Sequence, residues 1–264
     1  MTTLPGLLLL HGVGDSGDCW GQFVQRLRAA DDGRLADLVV STPNAPAHGG
    51  DRSAPGRTAA ASDQLAVAVG HAERLVRETG APIVVGGHSM GSTVALAVAA
   101  TRPDLVVALW LEDPPFMSSM ADNDAADPDE LVDVSEFGQW FSSLQERDLA
   151  EVVALARAEH PGWDQGEYEP WARAKQSVDV QAFVEPVRWI GADWARRARS
   201  VSVPTVIVAG DPDAGSILHP EAAAGLAELP TWSVHRVATG HDVRRDDPAE
   251  VVALLAALIQ SVVT

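Results

Sequence analysis

The stretch Gly86-Gly87-His88-Ser89-Met90-Gly91-Ser92 constrains this chain more than any other. It follows the apolar run Pro82-Ile83-Val84-Val85 and precedes Thr93 to Ala100, which is rich in Ala and Val. The order is a buried-type strand, a tight glycine turn and a helix. Two glycines, Gly87 and Gly91, flank the serine in a G-x-S-x-G spacing. Neither carries a Cβ, so strand and helix can close tightly around the turn. A serine held there projects its Oγ above the sheet edge. The following helix aims its N-terminal N–H groups at the same point.

Composition narrows the field around that turn. The 264 residues suit one large α/β domain or a domain with an insertion, and 46% are hydrophobic, enough for a sizeable core. With 37 acidic against 19 basic residues, the net charge of −18 argues against nucleic acid and anionic membrane surfaces. Lys175 is the only lysine, so Schiff-base chemistry has one candidate, and no motif surrounds it. Cys19 is the only cysteine, which leaves no internal disulfide and no thiolate metal cluster. The eight histidines show no H-E-x-x-H spacing, so no metal and no cofactor is expected. The run Leu7–Leu10 is too short to span a bilayer and lacks a basic flank. A soluble, cytoplasmic protein, monomer or homodimer, is the expectation.

Along the chain, buried-type strands are expected at Leu7–Leu10, Leu35–Ser41, Pro82–Val85, Leu105–Leu111, Val203–Ala209 and Thr231–Val237. Helical patterns fall at Trp20–Arg28, Thr58–Glu78, Thr93–Ala100, Pro220–Leu229 and Pro248–Ser261. A Pro/Gly/Ala loop, 42–57, carries His48, read as structural or as a rim residue. From Phe116 the character changes to an acidic loop and then helical stretches over Glu130–Gln145, Asp148–Glu159, Pro170–Ser177 and Val180–Arg199. The expected division is a core of 1–115 and 200–264 with an all-helical insertion over 116–199. That insertion holds five of the eight tryptophans, Trp140, Trp163, Trp171, Trp189 and Trp194. They either pack the insertion onto the sheet or line an apolar pocket. Trp140, Trp163, Trp171 and Trp189 are the substrate-binding candidates.

His11-Gly12, Gly87-His88-Ser89-Met90-Gly91, Gly210-Asp211-Pro212-Asp213 and Gly240-His241 together resemble the α/β-hydrolases with a helical cap, over nearly the whole chain. The resemblance implies a mostly parallel sheet of about six strands flanked by helices, with the cap inserted after the sixth family strand. It implies Ser89 as nucleophile and His241 as base, in the chain order Ser, acid, His. The backbone N–H groups of Val13 and Met90 would form the oxyanion hole. For the acid, the family's commonest position falls on Asp213. A subgroup of haloalkane dehalogenases and the zearalenone lactonases place a Glu where Glu112 stands, and Asp211 is a third choice. Serine at the elbow disfavours dehalogenase and epoxide hydrolase chemistry, which needs a carboxylate there. A small or medium apolar ester or lactone is the expected substrate. Cleavage of a C–C bond in a diketone, or a ligand sensor with little turnover, are the other readings.

Overall fold

The computed structural model describes residues 4–30, 33–52, 61–127, 129–188 and 190–263. A six-stranded parallel sheet forms its centre, in the order β2-β1-β3-β4-β7-β8. The strands are β1 (Leu7–Leu10), β2 (Val40–Ser41), β3 (Ile83–His88), β4 (Val106–Glu112), β7 (Thr205–Ala209) and β8 (Trp232–Arg236). The strand count matches the expectation of about six.

Uninterrupted apolar runs form these strands because helices cover both faces. Leu8, Leu10, Val85, Leu109 and Leu111 face one cluster, against α2 (Ala61–Thr79), α3 (Met90–Thr101) and α9 (Pro220–Ala227). Leu7, Leu9, Val84, Ala108 and Trp110 face the other, against α1 (Gly21–Ala29) and α11 (Pro248–Ser261). The alternation along each strand is the period of two that a pleated backbone imposes.

Between β4 and β7 run α4 (Met120–Ala125), β5 (Leu131–Val132), α5 (Ser135–Gln145), α6 (Leu149–Glu159), α7 (Gln165–Ser177), β6 (Val187–Arg188) and α8 (Trp194–Ser200). This segment is not all-helical. β5 and β6 pair antiparallel, with Val132 opposite Val187. The long helix expected over Val180–Arg199 is a short 3-10 turn, β6 and α8. α8 packs both on α4 and on the core: Trp194, Ala195 and Ala198 are buried in the cluster beside α3, and the Ala195 N–H donates to Asn123 Oδ1. Trp194 stacks on Phe116, ring centroids 4.4 Å apart. The strand expected over Leu35–Ser41 shrinks to Val40–Ser41, because Leu35 and Leu38 are buried in successive turns. Among the described residues no helix is long and apolar enough to cross a membrane.

Two glycines fix how α3 meets the sheet. A Cβ on Gly91 would lie 2.1 Å from the Leu10 carbonyl oxygen, and one on Gly87 2.2 Å from the Gly91 carbonyl carbon. Both obstacles are backbone, so neither moves aside cheaply. Gly91→Ala should therefore cost roughly 3 kcal/mol of stability. Gly70→Ala, in an exposed interior turn of α2 with nothing within 4 Å of the new Cβ, should stabilise by about 1 kcal/mol. Denaturant unfolding of the two variants checks the contrast.

Candidate active site

The carboxyl ends of β1, β3, β4, β7 and β8 lie along one edge of the sheet, where parallel sheets collect their ligands. Ser89 follows β3 directly with φ 52° and ψ −120°, a strained backbone for a non-glycine residue. It is the N-cap of α3, yet its side chain makes no capping bond, so Oγ is not spent on the helix. Met90 opens α3, where N–H groups have no helical partner. The loop after β1 comes close: a Cβ on Gly12 would sit 3.1 Å from Ser89 Cβ. Val13, next in that loop, lines the same cavity as Ser89, and its N–H donates to no acceptor among the described residues.

His241 lies in the loop after β8. Its Nδ1 is 2.6 Å from Asp113 Oδ2. A carboxylate only accepts, so Nδ1 carries the hydrogen and Nε2 is the ring's other face. Asp113 is fully buried and held from several sides. Ser216 Oγ donates to Oδ1 at 2.5 Å, the Ile217 N–H donates to Oδ2 at 3.0 Å, and its own N–H donates to the Val208 carbonyl. Burial disfavours the imidazolium of His241, but the Asp113 hydrogen bond and the charges of Asp113, Asp242 and Glu112 outweigh it. The pKa of His241 is raised above its ordinary 6.5.

The three carboxylates expected as partners of His241 are elsewhere. Asp213 and Asp211 are both exposed, in the loop after β7. Asp211 accepts from the Asp213 N–H, capping a 3-10 turn that Gly215 closes at φ 100°. That loop does not deliver an acid; it continues to Ser216 and Ile217, which donate to Asp113. Glu112 is one residue from Asp113 but on the opposite strand face, the face of Trp110. There Oε1 accepts from the Arg244 backbone N–H at 3.0 Å and its guanidinium at 3.2 Å. Sequence reasoning missed Asp113, whose signal was its place at the end of a central strand.

His88 adds a second contact to the histidine loop. Its Nε2–H donates to the His241 carbonyl at 3.0 Å, and the two rings lie 4.6 Å apart. Desolvation first, then the Arg244 and His241 charges, holds its pKa well below 6.5, so the ring is neutral. His48 is buried beside the rings of His11 and Phe183, and desolvation lowers its pKa to about 3.

A cavity of about 540 Å³ opens above Ser89 and His241, which both line it without a hydrogen bond between their side chains. Its walls are largely apolar: Val13, Pro115, Met117, Val134, Phe137, Trp140, Trp171 and Ile217. Of the four tryptophans expected at a pocket, Trp140 and Trp171 line it. Trp163 packs behind: it is buried, stacks on His160 at 4.0 Å and donates from Nε1 to Asp246. Trp189 lies outside the described residues.

One corner is charged, which composition did not announce. Asp15 is buried among Lys175 at 2.8 Å, Arg245 at 2.9 Å and Arg244 at 3.2 Å. Burial alone would raise the Asp15 pKa, but these three cations hold it well below the usual carboxylate range. Arg245, in the short helix α10 (Val243–Asp246), also binds Asp242 and Glu167.

The alpha/beta hydrolase family matches residues 7–254 of this chain. Lipase LipV of Mycobacterium tuberculosis is 29% identical over 172 residues, spanning 60% of this chain and 60% of that relative's length. Pyrrolizixenacetamide deacetylase of Xenorhabdus hominickii is 25% identical over 97% of this chain and 91% of its own. Among solved structures, a peroxisomal alpha-beta-hydrolase of Saccharomyces cerevisiae superposes with a TM-score of 0.71 at 19% identity, over 98% of this chain and 78% of its own. At that identity the likeness is one of fold.

The His241–Asp113 pair makes a prediction that needs no substrate. A raised folded pKa adds stability below about 6.5, and that contribution is lost as pH rises through the folded value. NMR titration of the ring should show His241 titrating above 6.5. Asp113→Asn should pull its pKa down, while Asp213→Asn leaves it in place. The reverse pattern would return Asp213 to the histidine.

Proposed function

From the premise that this chain belongs to the alpha/beta hydrolase family, we propose that it is a serine hydrolase of carboxylic esters, lactones included. The observation that carries the reading is the meeting of Ser89, His241 and Asp113 at the sheet edge beneath one apolar cavity. In this reading Ser89 Oγ attacks the acyl carbonyl, and His241 Nε2 takes its proton. Asp113 fixes the tautomer and stabilises the imidazolium. The N–H groups of Val13 and Met90 receive the tetrahedral oxyanion. His241 then protonates the leaving alcohol, and water, activated by the same ring, releases the acid from Ser89.

The raised pKa of His241 favours its role as acid toward the leaving group. The deacetylase relative, named for an acetamide, extends the panel worth testing to amides. The helical segment between β4 and β7 acts as the cap, and Trp140 and Trp171 shape the apolar part of the site.

Ser89→Ala should lower turnover of short-chain p-nitrophenyl esters by at least about 10³-fold with little change in KM. A fluorophosphonate probe should label the parent protein and not this variant. Asp113→Asn should lower kcat by about 10³–10⁴-fold, because the imidazole then settles in the wrong tautomer. In the parent protein the acidic limb of kcat/KM should inflect above pH 6.5, since the base acts only when neutral. Undiminished hydrolysis by Ser89→Ala would overturn the mechanism. Strong labelling without multiple turnovers would favour a ligand sensor.

A further inference from the structure

Lys175 has no part in the chemistry proposed above, yet the fold places it at the cavity. It sits near the end of α7, buried, with its side chain 5% exposed. Trp171 and Trp140 flank it: Nζ lies 4.7 Å from the centroid of one ring and 5.8 Å from the other. Both rings line the cavity, as Lys175 does. An ammonium has three donors. Among the described residues Nζ meets one oxygen acceptor, Asp15 Oδ1 at 2.8 Å. Two N–H bonds therefore remain for whatever enters this largely apolar space.

The charge around it decides what kind of acceptor fits. Asp15, Glu112, Asp242 and Glu167 face Lys175, Arg244 and Arg245 in one connected cluster. Four acids against three bases leave no spare positive charge. Glu159 adds another acid to the lining. A substrate carboxylate would bring a negative charge to a buried cluster with no spare positive charge to pair it. An uncharged oxygen meets no such opposition and satisfies a donor left over at the cavity wall.

We propose that Lys175 determines specificity by donating a hydrogen bond to an uncharged oxygen of the substrate, a keto, hydroxyl or amide oxygen remote from the scissile bond. The inference rests on the hydrolase reading of the cavity and names its substrate class: apolar acyl compounds with one neutral acceptor, held between Trp140 and Trp171.

The test compares p-nitrophenyl 5-oxohexanoate, 5-methylhexanoate and hydrogen adipate, which share a chain length and differ in the remote group, together with oxo groups one carbon to either side. Parent protein should favour the best ketone over the branched hydrocarbon by about tenfold in kcat/KM, through KM. Lys175→Met should bring that ratio to about one, and Lys175→Arg should keep part of it. Each ratio is taken within one variant, so a general loss of folded protein cancels. Asp15 keeps Arg244 and Arg245 in both variants. The uncleavable pair heptane-2,6-dione and 6-methylheptan-2-one, titrated calorimetrically, should show the same preference without turnover. A failure of the hydrolase reading would appear as no ester hydrolysis, while the titration still decides the lysine. Equal treatment of ketone and hydrocarbon by the parent protein, a ratio unmoved by Lys175→Met, or the adipate as best substrate would each overturn the proposal.

Discussion

The approach of α3 to the end of β1 is the contact on which the site depends. Gly91 lies against the Leu10 carbonyl, Gly87 against the backbone of Gly91, and Gly12 against Ser89 and His88. The parallel register that sets Leu10 beside Gly87 brings these ends together. Every residue of α3 from Met90 to Ala99 is buried, so the helix has no freedom to relax away. That packing over-determines the backbone of Ser89 at φ 52°. A turn of this strain persists only where its surroundings leave no alternative.

How much of this is legible in sequence follows from range. Apolar runs bounded by glycine and proline marked the strands, and the Gly87-to-Gly91 spacing marked the turn, because those signals are local. The partner of His241 is not local. The three carboxylates that the resemblance picks out do not include Asp113, which equally lies between Ser89 and His241 in the chain, and telling it from its neighbour Glu112 needs the strand face. Glu112 closes β4 opposite His88, and its carboxylate meets Arg244 of α10. Asp113 lies one residue further, past the strand, at φ 39°, a backbone that Asp tolerates better than most residues. One step along a strand reverses the side chain, so an acid that is one residue off is on the wrong side of the sheet. The pair β5–β6 was invisible for another reason: two residues in each strand carry no period.

The charged corner was illegible because its members are far apart in the chain. Asp15 meets Arg244 and Arg245 across some 230 positions, and Lys175 across 160. Composition gives a net charge of −18 and does not place the acids. It did not reveal that Asp15, Glu112 and Glu167 are buried against Lys175, Arg244 and Arg245, the buried lysine and arginines among the described residues. The tryptophans divide on the same principle. Trp140 and Trp171 share the cavity wall with Lys175, whereas Trp163 has its indole N–H taken by Asp246 and its face taken by His160. Helical spacing alone does not separate the two situations.

Buried ion pairs are poor stabilisers beside apolar packing of the same volume, so this cluster is not explained by stability. Its topology offers a better account. Asp15 belongs to the loop that carries Val13; Arg244 and Arg245 follow the loop that carries His241; Glu167 and Lys175 stand on α7 with Trp171 between them. One cluster thus joins the proposed oxyanion loop, the histidine loop and the cavity wall. Removing one charge from such a set leaves another buried and uncompensated, at a cost of about 3–5 kcal/mol where no second partner exists. Asp15, with three cations, tolerates the loss of one; Glu112, paired with Arg244 alone, does not. Substitutions within the cluster are therefore coupled. Arg245, which touches Asp15, Asp242 and Glu167 at once, is the side chain that links the cavity wall to the histidine loop.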